Sequence, residues 1–199
     1  MHLFIFDFDD TLAITDSRVR VVRDGEDIWM TSREFAEFPI NLATDYIDFD
    51  DFHRAQGTLI KDTIEIMQQA IMDGADVFIV TARAFGPPVE KFLERELGSS
   101  PPVIATSGSA GKVPWLVKQL NSNSYEKVVV FEDCEKNIRA LKDTVEKFNE
   151  DTGSNVFYSA MCILPNQEMV QKEARWRRED LLTEGDFREI TKNFLRKTW

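Results

Sequence analysis

The sequence predicts an α/β fold, a mostly parallel sheet flanked by helices, and three observations lead there. Short, continuous apolar runs recur at Leu3–Phe6, Val77–Val80 and Val128–Phe131. Runs without alternation fit strands covered on both faces. Between them lie apolar stripes at helical spacing, bounded by glycine or proline. The order strand, helix, strand then repeats to the end of the pattern.

Taken in order, Leu3–Phe6 is the first strand. Residues 16–57 break the rhythm and form a small insertion, because Arg18–Arg23 and Ile28–Thr31 flank Asp24-Gly25-Glu26-Asp27, a hairpin signal. The acidic, aromatic stretch Asp45–His53 follows, readable as a small flap over a site or as a solvated connection. Leu59, Ile60, Thr63, Ile64, Met67, Ile71 and Met72 make a helical stripe that Gly74 stops. Val77–Val80 is the second buried strand. Val89, Phe92, Leu93 and Leu97 form the next helix, between Pro87-Pro88 and Gly98. Val103–Ala105 is a weaker strand, Trp115–Leu120 a helix, Val128–Phe131 the third buried strand, Ile138–Phe148 a helix, and Val156–Cys162 a last weak strand. The order is Rossmann-like and gives one domain over residues 1–164. Residues 165–199 read as a charged, helical extension with Arg175, Arg177 and Arg178 around Trp176.

Charge is unevenly spread. The chain of 199 residues has a formal net charge of −11, and residues 1–100 hold 9 basic and 20 acidic side chains. Residues 101–199 hold 15 of each. Nonspecific coating of nucleic acid or of an anionic membrane is therefore disfavoured. The two cysteines, Cys134 and Cys162, form neither a disulfide framework nor a metal pair. The opening apolar run ends at Asp7, too short for a signal peptide, and no run reaches the ~20 residues of a membrane span. The expectation is a cytoplasmic protein with no membrane partner.

In an open parallel sheet, ligands bind beyond the carboxyl ends of the strands. Three polar clusters fall there: Asp7-Phe8-Asp9-Asp10-Thr11, then Thr81-Ala82-Arg83, then Glu132-Asp133 with Asn137 beyond. Gathered carboxylates repel and need a cation, and hard oxygen ligands select Mg²⁺. Asp7 and Asp133 could share one ion. With a phosphate neutralised, Asp7 could attack phosphorus while Asp9 protonates the leaving alcohol and then activates water. Thr81 and Lys112 would hold the transferring oxygens. Lys118 competes with Lys112, which is favoured because Gly111 precedes it and Pro114 can begin a helix behind it.

These residues resemble the signatures of the haloacid dehalogenase superfamily. Phe6-Asp7-Phe8-Asp9-Asp10-Thr11-Leu12 is similar to its first motif and Val80-Thr81 to its second. Lys112 with Leu116 and Leu120 fits the third, and Phe131-Glu132-Asp133 with Asn137 the fourth. The resemblance implies a HAD-like, nearly capless fold and an Mg²⁺-dependent phosphomonoesterase with Asp7 as nucleophile. It makes Asp9 the general acid/base and a metal ligand through its carbonyl, Asp133 a further metal ligand, and Thr81 and Lys112 the phosphate holders. Thr11 and Arg83 are expected to touch substrate. Glu132 and Asn137 depart from the commonest fourth motif.

A site with little cover admits a nucleotide, a nucleic-acid end or a phosphoprotein, and Thr81-x-Arg83 is similar to polynucleotide kinase–phosphatases. An ordinary salt bridge is the competing role for Arg83. The alternatives in function are a noncatalytic phosphate-binding module and a phosphotransferase. Local echoes mislead. Asp48-Phe49-Asp50-Asp51 repeats the first motif without its strand or threonine, and Gly108–Val113 lacks the first glycine and the hydroxyl of a P-loop.

Overall fold

The computed structural model describes residues 1–163. The extension at 165–199 and its basic patch lie outside the described residues. Five strands form the central parallel sheet: β1 (His2–Phe6), β7 (Asp76–Thr81), β8 (Val103–Ala105), β9 (Lys127–Glu132) and β10 (Phe157–Cys162). Their order is β10-β9-β1-β7-β8. All pairings are parallel, with Phe6 opposite both Ile79 and Phe131. The two weak runs, 103–105 and 156–162, thus supply the sheet's edges.

Strand alternation on β1 sorts the core into two layers. Phe4 and Phe6 pack with α2 (Lys61–Met72) and α3 (Pro87–Leu97), through Ile64, Met67, Val89, Phe92 and Leu93. Leu3 and Ile5 face α4 (Lys112–Ser122) and α5 (Glu135–Thr152), through Leu116, Leu120, Leu141 and Val145. Right-handed crossovers put helices on one face while strands are added one way, and on the other after the direction reverses. The reversal falls between β1 and β9, so the chain leaves their carboxyl ends toward opposite faces of the sheet, the place where such sheets form a crevice. The α/β, Rossmann-like expectation is met.

The insertion folds rather than merely connecting. Strands β3 (Val19–Arg23), β4 (Glu26–Met30) and β5 (Tyr46–Asp48) form an antiparallel sheet in the order β4-β3-β5. The hairpin turn is Asp24-Gly25, with φ of 55° and 81°, which a glycine takes at no steric cost. Val19, Val21 and Met30 form a separate small core, with Phe35, Phe38 and Phe52 packed on it. A short helix, α1 (Ser32–Glu37), begins with a capping box between Thr31 and Glu34. A separate two-stranded sheet carries the chain into and out of this cap: β2 (Ala13–Thr15) pairs antiparallel with β6 (Gly57–Leu59). Leu59, expected at the start of a helix, belongs to that strand. The helix begins two residues later because Ile60 is extended and Gly57 approaches Ile14 too closely for any side chain.

Candidate active site at the carboxyl edge of the sheet

Asp7 follows β1, and its backbone N–H donates to the Phe131 carbonyl at 2.9 Å, which extends the sheet by one bond. The strand end thus delivers the Asp7 side chain into the crevice beside Glu132, the last residue of β9, and Asp133. These three side chains each offer an oxygen within 4.8 Å of the others. Lys112 enters from the first position of α4 and donates to Asp7 Oδ1 at 2.7 Å and to Glu132 Oε2 at 2.6 Å. It is 2% exposed. Gly111 makes this possible, since a Cβ there would meet the Thr106 carbonyl oxygen at 2.4 Å. Lys118 is exposed on the same helix. The structure therefore brings Lys112, not Lys118, to Asp7.

Three carboxylates share one ammonium, a formal charge of −2. Burial pushes the Asp7 carboxyl well above its usual range, against the pull of Lys112 and with repulsion from Glu132 and Asp133 adding to it. Burial and Glu132 push Asp133 up to about 7. Burial opposes a charge on Lys112, but Asp7 and Glu132 outweigh it and hold the ammonium charged. A buried excess of two negative charges among hard oxygen donors is what a divalent cation relieves, so the donor set fits a metal.

Glu132 is the residue that motif reading undervalued. Its second oxygen, Oε1, accepts from Asn137 Nδ2 at 2.9 Å and from the Cys134 backbone N–H at 3.4 Å. The departures at 132 and 137 thus make a pair: the glutamate fills the place between Lys112 and Asp133, and the asparagine holds it. The available signal was its position as the final residue of a buried strand, next to Asp133.

Asp9 takes a different environment. Thr15 Oγ1 donates to its Oδ1 at 2.6 Å, and Arg83 grips it with Nε to Oδ2 at 2.9 Å and Nη2 to Oδ1 at 2.8 Å. The Arg83 guanidinium also reaches Ser17 Oγ at 3.0 Å and the Arg54 carbonyl at 2.9 Å. It lies between the Phe8 and Phe52 rings, 5.3 and 4.8 Å from their centroids. Arg83 is buried. Of the two roles open to it in the sequence, the structure shows the salt bridge, with its donors engaged between sheet and cap.

Thr81 closes β7, beside β1. Its Oγ1 accepts the Arg83 backbone N–H at 3.2 Å, leaving the hydroxyl proton to donate elsewhere. Thr11 is fully buried, and its hydroxyl has no hydrogen-bond partner among the described residues. Its carbonyl accepts from Thr63 Oγ1 at 2.6 Å. The chain turns inward at Thr11, where Leu12 and Ala13 N–H both donate to the Phe8 carbonyl. Thr11 ties the motif loop to α2.

No helix among the described residues is long and apolar enough to cross a membrane. Cys134 and Cys162 are free thiols. No protein-family model matches this chain, and neither a curated protein nor a solved structure is found to be similar to it.

Proposed function

We propose that the chain is an Mg²⁺-dependent phosphomonoester hydrolase of the haloacid dehalogenase type, acting through an aspartyl-phosphate. The observation that carries the reading is Asp7 at the sheet's switch point, bonded to a buried lysine, with Glu132 and Asp133 within 4.8 Å. Asp7, Glu132 and Asp133 would hold the ion, which supplies neutralisation of the phosphate's charge. Asp7 attacks phosphorus with its carboxylate, and the bond to the leaving oxygen breaks. Lys112 and the Thr81 hydroxyl stabilise the charge gathered on the transferring oxygens. Asp9 gives a proton to the departing alkoxide, then takes one from the water that hydrolyses the aspartyl-phosphate and restores Asp7. A carboxylate bonded through both oxygens to a guanidinium cannot donate, so Asp9 must release one Arg83 bond on taking up its proton.

The test is hydrolysis of an aryl phosphate with and without Mg²⁺, comparing the native chain with Asp7→Asn. Loss of turnover by at least about a thousandfold is expected for the variant. Full activity in Asp7→Asn would overturn the assignment. Beryllium fluoride should form a metal-dependent adduct on Asp7, visible by fluorine NMR. A phosphate-binding module without catalysis would give neither adduct nor turnover.

A further inference from the structure

The cap opens a cleft of about 430 Å³, within the range of small-molecule sites. Its walls include Trp29 from β4, Arg18, and His53 and Arg54 from the segment before β6. Trp29 is 57% exposed, with the Arg20 guanidinium over its ring at 5.9 Å. The His53 ring sits 4.5 Å from that of Phe85, which is 48% exposed and lies two residues past Arg83. Aromatic faces thus run from the cleft to the loop that follows Thr81. Large exposed aromatics clustered in this way mark a binding surface.

The charges narrow the ligand. Three arginines and three aspartates line the cleft, so it is balanced overall rather than an anion trap. Arg20 is engaged by Asp27 and Asp48, and Arg54 by Asp51. What remains is flat ring and guanidinium surface edged by hydrogen-bond donors and acceptors. A planar, uncharged ring with polar edges fits it. Arg18 is the one of the three with no carboxylate partner for its guanidinium among the described residues; it bonds the Ser17 carbonyl at 3.3 Å.

Position links the cleft to the reaction. The Arg54 carbonyl and Asp9 are bonded to the same Arg83 guanidinium, so a single side chain separates the cleft's rim from the proposed acid. A ligand with its phosphate at Asp7 would have to reach past this side chain to lay a ring against Trp29. We propose that this cleft binds the nucleobase of the substrate, making the chain a phosphatase for nucleotides. The proposal rests on the phosphomonoesterase reading. Stacking without a fixed hydrogen-bond pattern gives preference for a base over none, and little choice among bases.

The test compares kcat/KM for nucleoside monophosphates with that for ribose 5-phosphate, which lacks only the base. A preference of at least about tenfold is expected, falling to near unity in Trp29→Ala and largely regained in Trp29→Phe, which keeps a stacking face. Met72→Ala, on the far exposed face of α2, should keep the native ratio. A 5′-phosphorylated oligonucleotide forms a further arm. Preference for it over the mononucleotide, weakening with salt and in Arg18→Ala, identifies a strand end as the source of the base; the reverse order identifies a free nucleotide. Equal kcat/KM for ribose 5-phosphate and nucleotide overturns the cleft assignment while leaving the phosphatase reading intact. Should no phosphate ester be hydrolysed, the phosphatase reading fails, and calorimetric titration with adenosine monophosphate decides the cleft. Binding that is lost in Trp29→Ala sustains it, and absence of binding ends it.

Discussion

The tetrapeptide Asp-Phe-Asp-Asp occurs twice, at 7–10 and at 48–51, with opposite outcomes. The first copy follows a buried parallel strand. Phe8 is fully buried against Phe92, Asp7 meets a buried lysine, and Asp9 is gripped by a buried arginine. The second copy ends a short cap strand. Phe49 is half exposed, Asp48 lies 3.6 Å from Arg20, Asp51 pairs with a largely exposed Arg54, and Asp50 is open to solvent. Identical letters therefore carry different chemistry because of what lies behind them. Each cap aspartate that is partly covered has a guanidinium beside it: Asp45 has Arg23, Asp51 has Arg54, and Asp48 shares Arg20 with the more exposed Asp27. The sheet-edge trio shares one lysine, and that deficit is what marks it as the candidate site.

The largest difference should appear in turnover. Asp7→Asn should cost at least about a thousandfold, and Asp48→Asn at most about tenfold, in hydrolysis of the same aryl phosphate. Equal losses would break the comparison. In urea unfolding, Lys112→Met should cost about 3–5 kcal/mol, because it strands buried carboxylates. Arg54→Ala, at the second copy, should cost about 0–1 kcal/mol. Similar values for the two would mean that the sheet-edge charges are solvated after all.

Metal should matter at one copy only. Adding Mg²⁺ to chelator-treated protein is expected to raise the melting temperature, by about 2.7 kcal/mol of stabilisation at a hundredfold excess over Kd. Asp133→Asn should abolish that rise, and Asp51→Asn should keep it. The smallest effect concerns pH. The Arg23 side chain and the Asn41 backbone N–H hold Asp45 at about 2, below its ordinary value. A carboxyl depressed in the folded state contributes stability that is present above about pH 4 and is lost as pH falls through 2. The protection of amides in β3 and β5, taken relative to their intrinsic exchange rate at each pH, should fall over that window, and Asp45→Asn should remove that pH dependence.

Much of this could be read before the structure. Continuous apolar runs marked β1, β7 and β9, which are buried on both faces, whereas the edges β8 and β10, with no fully buried residue, left weaker runs. The strand ends then pointed to Asp7, Thr81 and Asp133, and Gly111 with Pro114 pointed to Lys112 at a helix start. Short pieces escaped. β2 and α1 are too brief for periodicity, although Thr31 and Glu34 did spell a capping box. The partnership of Arg83 could not be read, since it depends on Ser17, Phe52 and Arg54 folding back over a loop many residues later. Nor could the closeness of Glu132 to Lys112, which is set by two separate strand-to-helix connections.

The narrow ribbon of β2 and β6 has a consequence for how such a chain can change. Thr15 and Gly57 are cross-strand partners, so everything between them leaves and rejoins the sheet at one point. Residues 16–56 form a cassette. A short turn joining 15 to 57 would preserve the connection between β1 and α2, at the cost of uncovering Arg83. Selection can therefore lengthen, shorten or replace what sits above the crevice while the crevice itself stays in place.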